Sequence, residues 1–158
     1  MGYYTNAAIC KNGHVDTSDT SSGISGKFCK TCGAEIINKC PQCGVEIQGD
    51  YRVTGIAMIG FSYTPPSYCH NCGKPYPWTE ARIEAAKMLI EDMEELSEEE
   101  KRKMSESIDK IITDTPYTEV SANRIKRGLL KIGKEGASML RDILVNIATE
   151  AAKKHLGL

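Results

Sequence analysis

The residues that could bind a transition metal occur in this sequence as closely spaced pairs. The chain has seven cysteines and three histidines. All of the cysteines and one histidine fall into the pairs Cys10/His14, Cys29/Cys32, Cys40/Cys43 and Cys69/Cys72. Eight ligands are the number that two four-coordinate Zn²⁺ sites require. The spacing therefore predicts two structural zinc ions, bound by all of these residues.

A glycine directly follows each of the three CxxC pairs, at Gly33, Gly44 and Gly73. In a zinc knuckle the backbone N–H groups turn tightly toward the second sulfur, and glycine permits that turn. The alternatives are a redox CxxC motif and free buried thiols. A redox pair is typically found alone, beside a βαβ pattern that this sequence lacks. The repeated spacing favours metal binding.

The sequence leaves open how the four pairs combine into two sites. Neighbouring pairs would give one Cys₃His site and one Cys₄ site. A RING-like cross-brace would join the first pair with the third and the second with the fourth, and a nested arrangement would join the two central pairs. We favour neighbouring pairs, because each site then closes a loop long enough for a β-hairpin.

The two intervals inside these sites differ in composition. Between Cys43 and Cys69, the segments Val45-Glu46-Ile47 and Tyr51-Arg52-Val53 flank Gly49 and Asp50, and a second apolar run precedes Pro65 and Pro66. This pattern predicts a β-hairpin. The interval from His14 to Cys29 is rich in Ser, Thr and Gly, and this composition predicts a mobile loop.

The motifs around the ligand pairs resemble an uncharacterised bacterial family of double-zinc-ribbon proteins, a domain of unknown function. The similar segments are Ile-Cys-Lys-Asn-Gly-His-Val, Lys-Phe-Cys-Lys-Thr-Cys-Gly, Cys-Pro-Gln-Cys and Tyr-Cys-His-Asn-Cys-Gly-Lys-Pro-Tyr-Pro-Trp. The similarity continues through the C-terminal half and covers nearly the whole chain. It implies the same eight ligands and a bacterial origin. Because the function of the family is unknown, the resemblance does not indicate an activity.

The composition of the chain changes near residue 78. Residues 1–77 hold every cysteine and 11 of the 41 charged side chains, whereas residues 79–158 hold 30 charged side chains and no cysteine. We therefore predict a double zinc-ribbon domain over 1–77 and a helical domain over 78–158. The fold class would be α+β, with small β-hairpins followed by an all-α region. Trp78 is expected to pack at the joint between these domains.

Apolar residues in the second half recur at helical spacing. We expect a helical hairpin, whose second helix begins with the capping box Ser97–Glu100, and then a long amphipathic C-terminal helix over about 118–154. This helix is either continuous, with a weak point at residues 133–136, or bends there. Its apolar seam is longer than the two preceding helices can cover, so it would mediate self-association or docking of a protein partner. The seam consists of Ile143, Leu144, Ile147 and Ala151.

Charge is distributed unevenly along the helical half. Residues 79–119 carry 13 acidic and 6 basic side chains, and residues 120–158 carry 3 acidic and 8 basic ones. The basic block at 124–134 could bind nucleic acid or anionic lipid. We favour its neutralisation by acidic helices of the same chain or of a partner, because the opposite charge lies immediately upstream. The block consists of Arg124, Lys126, Arg127, Lys131 and Lys134.

The motifs that would indicate catalysis are incomplete. The segment from Gly128 to Lys134 imitates a phosphate-binding loop, but Glu135 stands where a Ser or Thr should hold Mg²⁺, and a helical pattern precedes it. His70 lies inside a knuckle and is expected to face solvent. With every cysteine assigned to metal, no nucleophile–base pair remains, and we predict no enzymatic activity.

The N-terminal residues show neither a basic n-region nor an apolar h-region, and the sequence has no apolar stretch of the roughly 20 residues that span a bilayer. Reduced thiols and metal binding are typical of the cytosol. The sequence therefore predicts a cytoplasmic, non-enzymatic zinc-binding adaptor, with ribbons as a recognition surface and C-terminal helices for self-association or partner docking. One alternative is a nucleic-acid-binding regulator that uses the ribbon aromatics and the basic 124–134 face. Another is an unrecognised enzyme, or a defence-system component, since the segment 141–147 resembles tails of bacterial defence proteins.

Overall fold

A computed structural model describes the whole chain, Met1–Leu158. The chain divides into two compact units, Met1–Glu80 and Ala81–Leu158. Short strands are confined to the first part of the chain, and five helices follow from Pro77 onward. Small antiparallel sheets followed by helices confirm the predicted α+β class.

The first unit contains five short strands in two antiparallel sheets. One sheet pairs the first strand with the fifth, and the other has the second strand between the third and the fourth. A short 3₁₀ turn at Thr20–Ser22 follows the third strand. The strands are β1 (Gly2–Asn6), β2 (Ala8–Cys10), β3 (Val15–Thr17), β4 (Ile36–Ile37) and β5 (Gln48–Val53).

The hairpin expected around Gly49 and Asp50 is wrong. These residues lie within the continuous strand β5, which pairs with β1. A β-carbon at Gly49 would collide with the Ser18 carbonyl and the Thr5 hydroxyl. The glycine therefore permits a close approach of two backbone segments inside a strand, which the sequence pattern does not distinguish from a turn.

The interval from His14 to Cys29 also contains more regular structure than expected. Its first residues form β3, and Asp19 caps the 3₁₀ turn by accepting a hydrogen bond from the Ser21 N–H at 3.0 Å. Asp16 accepts a hydrogen bond from the Ser25 N–H at 2.9 Å. Local side-chain capping of this kind organises Ser- and Asp-rich segments without an apolar pattern.

The buried cluster of the first unit is small and includes two cysteines, Cys40 and Cys69. Trp78 belongs to this cluster, where its ring stacks on Tyr76 with the centroids 4.7 Å apart. The indole N–H of Trp78 donates to the Pro66 carbonyl at 3.0 Å. Trp78 therefore contributes to the core of the first unit.

The second unit consists of helices, and a local hydrogen-bond motif marks the start of the second one. The predicted capping box is confirmed, because the Glu100 N–H donates to the Ser97 hydroxyl at 3.2 Å and the Ser97 N–H donates to the Glu100 carboxylate at 2.9 Å. The second and third helices pack together, as do the third and fifth. The helices are α1 (Pro77–Glu91), α2 (Glu98–Ile111), α3 (Thr118–Lys131), α4 (Lys134–Ile147) and α5 (Glu150–Leu156).

The long C-terminal helix does not form, and three helices take its place. The chain is extended at Ile132 and Gly133, so the break falls at the glycine where a bend was the alternative expectation. A second break follows α4, where the Thr149 hydroxyl caps α5 by accepting the Ala152 N–H at 3.3 Å. The Thr149 N–H donates to the Ile111 carbonyl at 3.0 Å, which ties this break to the end of α2.

The apolar seam predicted to be uncovered is largely buried, so that expectation is wrong. Leu144 and Ile147 belong to the main apolar cluster of the second unit, with Ile143 packed against it. The two breaks fold the tail back onto its own unit, so its apolar face is covered within the chain.

Candidate metal centres

The three CxxC segments share one backbone arrangement. In each, the N–H of the following glycine donates to the carbonyl of the first cysteine, at 2.8 Å for Gly33 and 2.9 Å for Gly44 and Gly73. These glycines have φ values of 74°, 76° and 71°, in the left-handed region that glycine adopts without strain. Each segment is also closed by an isolated antiparallel bridge between the residue before the first cysteine and the residue six beyond that cysteine. The sequence thus builds the same ligand-presenting turn three times.

The Cys10/His14 segment has one more residue between its two ligands than the CxxC segments, and its closing hydrogen bonds each span one residue fewer. The Gly13 N–H donates to the Cys10 carbonyl at 2.8 Å, and the Cys10 N–H donates to the His14 carbonyl at 2.9 Å. Gly13 has φ of 92°, which again is a conformation that suits glycine. Cys10 ends β2 and His14 precedes β3, so the β2–β3 hairpin presents both side chains from the same end.

The structure brings all eight predicted ligands together in two groups of neighbouring pairs. One group is Cys10, His14, Cys29 and Cys32, and the other is Cys40, Cys43, Cys69 and Cys72. Within each group the ligand atoms all lie within 4.8 Å of one another. Neighbouring pairs are therefore combined, and neither the cross-brace nor the nested arrangement is formed.

The separations between ligand atoms match a tetrahedral metal site. Zn–S bonds of about 2.3 Å place two sulfurs about 3.8 Å apart, and a Zn–N bond of about 2.0 Å places sulfur and nitrogen about 3.5 Å apart. In the Cys₄ group the Sγ–Sγ separations are 3.8 Å for Cys40–Cys72 and 3.7 Å for Cys43–Cys69. In the other group, His14 Nδ1 lies 3.5 Å from Cys10 Sγ and 3.3 Å from Cys32 Sγ. Both groups could hold a metal ion, and the histidine would use Nδ1.

The comparisons with known proteins identify a family. A family model described as an uncharacterised protein conserved in bacteria (DUF2321) matches residues 3–156. The chain belongs to this family. The predicted resemblance to an uncharacterised bacterial family is confirmed, and the family description itself does not mention metal. Neither a curated protein nor a solved structure matches the chain.

Two asparagines of this DUF2321 protein donate to cluster sulfurs, and sequence reasoning did not predict their role. The Asn12 side-chain amide donates to Cys32 Sγ at 3.4 Å, and the Asn71 amide donates to Cys43 Sγ at 3.5 Å. Each asparagine lies between the two ligands of its own segment and reaches a sulfur of the facing segment. The position of an asparagine within the knuckle is a signal in the sequence, but its partner becomes visible only when the segments face each other.

Hydrogen bonds and burial shift the thiol pKa values in opposite directions. The backbone N–H of Ala34 lowers the pKa of Cys32 to about 6, and the Asn12 amide contributes to this shift. The Val45 N–H and the Asn71 amide likewise lower the pKa of Cys43. Such donors stabilise the thiolate form, which is the form that binds metal.

The surroundings of two other cysteines, Cys10 and Cys72, disfavour the thiolate form and raise the thiol pKa. Burial raises the pKa of Cys10 despite a hydrogen bond from the His14 N–H. At Cys72 the Lys74 N–H lowers the pKa, but burial and the neighbouring sulfurs outweigh it and raise the pKa to about 11. Crowded thiolates repel one another, and a divalent cation at the centre of the group would keep all of them deprotonated.

The Cys₄ group lies against the aromatic core of the first unit. Cys40 and Cys69 are buried in the cluster that contains Tyr76 and Trp78. The Tyr76 hydroxyl is fully buried beside the Cys69 sulfur, and burial together with that sulfur raises the pKa of Tyr76.

His70 lies outside both ligand groups, with an exposed side chain. None of the helices is long and apolar enough to span a membrane.

Proposed function

We propose that this chain is a non-enzymatic, zinc-binding interaction protein whose first unit recognises a protein partner. Two structural Zn²⁺ ions would be held by the eight Cys and His ligands of the two groups. The observation that carries the metal assignment is the agreement of the ligand separations, 3.3–3.8 Å, with the edges of a tetrahedral site. Zinc supplies folding free energy to the unit when bound.

The ligand sets support a structural role for the metal. Each group offers four protein ligands, so a tetrahedral ion would have no open position for water or substrate. Catalytic zinc sites keep such a position. The segment from Gly128 to Lys134 runs from inside α3 into α4, where a phosphate-binding loop requires a strand followed by a helix. These features favour a protein without enzymatic activity.

An exposed apolar surface on the first unit is the proposed recognition site. It consists of Tyr4, Tyr51, Ile56, Met58 and Phe61. Two adjoining cavities of about 230 and 410 Å³ share Tyr51, Met58 and Phe61 in their walls. Phe61 is 77% exposed, and neighbouring Ile59 is 87% exposed. Contiguous apolar side chains at a protein surface mark interaction sites more often than single exposed ones do.

The charges around this surface favour a protein partner over nucleic acid. Asp50 contributes to both cavities, and the nearby cation Arg52 is paired with the Asp19 carboxylate at 3.4 Å. A nucleic-acid site needs unpaired cations to contact phosphates. Aromatic and Met side chains with few free charges are typical of the centre of a protein interface.

Metal analysis of the purified full chain tests the first part of the proposal. We expect one zinc ion for each of the two ligand groups. Cys72→Ser should remove one of them, whereas His70→Ala, a matched change in the same knuckle, should leave the content unchanged. Thiolate sites also suit iron, so iron in place of zinc, or a reproducible content near one ion or none in the unmodified chain, would contradict the assignment.

Co-purification from the native cell tests the recognition surface. Proteins that co-purify with the tagged chain should be lost from the variant Met58→Ser/Phe61→Ser, which changes two residues shared by both cavities. They should be retained by Met139→Ser, which replaces an exposed apolar residue in α4 of the second unit. Equal recovery of the same proteins with both variants would show that the surface is not the site. Nucleotide hydrolysis that is abolished by Lys134→Ala would contradict the absence of an enzymatic activity.

A further inference from the structure

A groove between α2 and α3 in the second unit combines an apolar floor with cationic walls. Its volume is about 310 Å³. Leu96, Met104 and Gly128 form the floor, and Gly128 lies so close to Met104 that a β-carbon there would collide with the methionine side chain. The walls carry four cations and one carboxylate, namely Lys103, Arg124, Arg127, Lys131 and Glu100.

Two of these cations have no carboxylate partner within the chain. Lys131 is paired with Glu100, as expected if the basic block were neutralised by the acidic helices. No ion pair involves Arg124 or Arg127, and both side chains are exposed on α3. Lys126 and Lys134 form no ion pair either, so the neutralisation by acidic helices of the same chain that was expected for the basic block occurs only at Lys131.

Unpaired carboxylates lie a few residues before the groove residue Leu96 in the sequence. Residues 88–100 contain seven acidic side chains and no basic one. Asp92 and Glu94, in the turn between α1 and α2, are exposed and form no ion pair. Glu94 precedes the groove residue Leu96 by two positions. We call residues 91–95 the acidic turn.

We propose that the second unit self-associates, with the acidic turn of one copy docking on the Arg124/Arg127 wall of another. Two adjacent surfaces of opposite charge become mutually complementary when a two-fold axis passes between them, so that each copy supplies both halves of the contact. Leu130, 76% exposed and one turn beyond Arg127, adds an apolar group beside the charges. The occupant of the groove is thus a second copy of this chain.

The chemistry of the contact determines its strength. Exposed ion pairs are individually weak and are screened by salt. A symmetric contact repeats each pair, and the arginine guanidinium is suited to bidentate binding of carboxylate. The association is therefore reversible and sensitive to salt. It involves only residues of the second unit, so it does not depend on the recognition surface proposed for the first.

Sedimentation equilibrium on the zinc-loaded full chain tests the proposal. We expect dimers at roughly 50 mM salt that dissociate at least tenfold more readily near 500 mM. Arg124→Glu/Arg127→Glu and Asp92→Lys/Glu94→Lys should each abolish dimers when studied alone. Lys126→Glu/Arg141→Glu changes the net charge as much as the arginine variant does but alters no groove residue, and it should still dimerise.

Mixing the two charge-reversed variants gives the decisive result. Because their charges are exchanged, both contacts of the mixed dimer again join opposite charges: the unchanged acidic turn meets the unchanged arginines, and the lysine turn meets the glutamates. A mixed dimer should therefore form. Helical circular dichroism identifies any variant that has failed to fold. A single reversal, Arg127→Glu, then replaces the double arginine variant, because only a groove that carries the reversed charge can pair with the lysine turn. An unmodified chain that stays monomeric at low salt, or a mixture that does not associate, overturns the proposal. Binding of a DNA oligonucleotide by the monomer, lost in the arginine variant, would assign the groove to nucleic acid instead.

Discussion

The two units of this chain obtain their stability from different sources. The buried cluster of the first unit has seven residues, two of which are cysteines of the Cys₄ group, whereas that of the second unit has eighteen. Small domains with few buried apolar groups usually need a metal or disulfides to fold, and larger apolar cores do not. The first unit is thus built around its ligand groups and the second around apolar packing.

This difference separates two kinds of constraint on the sequence. In the first unit the ligands and their turn glycines would be fixed by the geometry of the proposed metal sites, and the segments between them present exposed side chains such as Phe61. In the second unit the apolar positions are fixed by helix packing, and the exposed faces are free to carry charge. The proposed recognition surface and the proposed dimer contact each consist of exposed side chains outside the ligand groups and the apolar cores.

Removal of metal should give the largest effect and should act on one unit. A chelator at neutral pH is expected to unfold Met1–Glu80, because each site would contribute about 10–16 kcal/mol of folding free energy. Hydrogen exchange followed by mass spectrometry should show lost protection in β1, β2 and β5 and retained protection in α2 and α4. Simultaneous loss of protection in the helices would contradict the separation of the two sources of stability.

The corresponding experiment on the second unit removes a buried apolar side chain instead of a metal ion. Leu144→Ala should lower the free energy of unfolding of that unit by about 2–5 kcal/mol, because Leu144 is fully buried and the change leaves a cavity. Zinc content should not change. Val145→Ala, at the next and exposed position, should cost less than about 0.5 kcal/mol. Similar small effects at both positions, measured by denaturant unfolding, would place the tail outside the core.

The asparagine donors give a smaller effect within the metal centres. Asn12→Ala and Asn71→Ala should each weaken zinc binding by about 10–100-fold, as expected for the loss of a hydrogen bond to a ligand. Each asparagine lowers the pKa of a thiol, Cys32 or Cys43, so its removal raises that pKa. Metal uptake should therefore shift to higher pH. Competition with a chromophoric chelator measures both effects, and Asn146→Ala, in the second unit, should leave them unchanged.

The smallest expected effect is on the thermal stability of the second unit, when the charge of Glu100 is removed. Hydrogen bonds from Lys131 and the Ser97 N–H hold the pKa of Glu100 below its ordinary value of 4.5. The charged form therefore stabilises the folded unit above pH 4.5, and this contribution is lost as the pH falls through the lowered pKa. Glu100→Gln should lower the melting temperature of the helices slightly at neutral pH, and this difference from the unmodified chain should shrink as the pH falls below 4.5. Glu84→Gln, at an exposed residue of α1 that forms no ion pair and lies outside the proposed dimer contact, should have no effect at any of these pH values.

The features that could be predicted from the sequence are those set by short-range spacing. The knuckle turns involve residues within seven positions of one another, so their spacing and glycines identify them directly. The capping box at Ser97 is equally local. The donors Asn12 and Asn71 were missed because each acts on a knuckle from another part of the chain.

Features that depend on long-range contacts could not be predicted. The pairing of β1 with β5 joins residues more than 40 positions apart, and Gly49 has the same appearance in a sequence whether it makes a turn or a close approach. The burial of Leu144 depends on breaks at Gly133 and Thr149 whose directions are set by packing. Apolar periodicity identifies a face of a helix but does not show what covers it.

The local closure of the knuckles has a kinetic consequence for metal capture. Each turn can present two ligands before the rest of the unit is ordered, so an ion first caught by one turn needs only one loop closure to reach the other two ligands. The cost of such a closure grows only with the logarithm of loop length. For the 14 residues between His14 and Cys29 and the 25 between Cys43 and Cys69, the costs differ by about 0.5 kcal/mol. The segment that carries Phe61 can therefore lengthen or shorten among related chains with little effect on how readily the Cys₄ group takes up its metal.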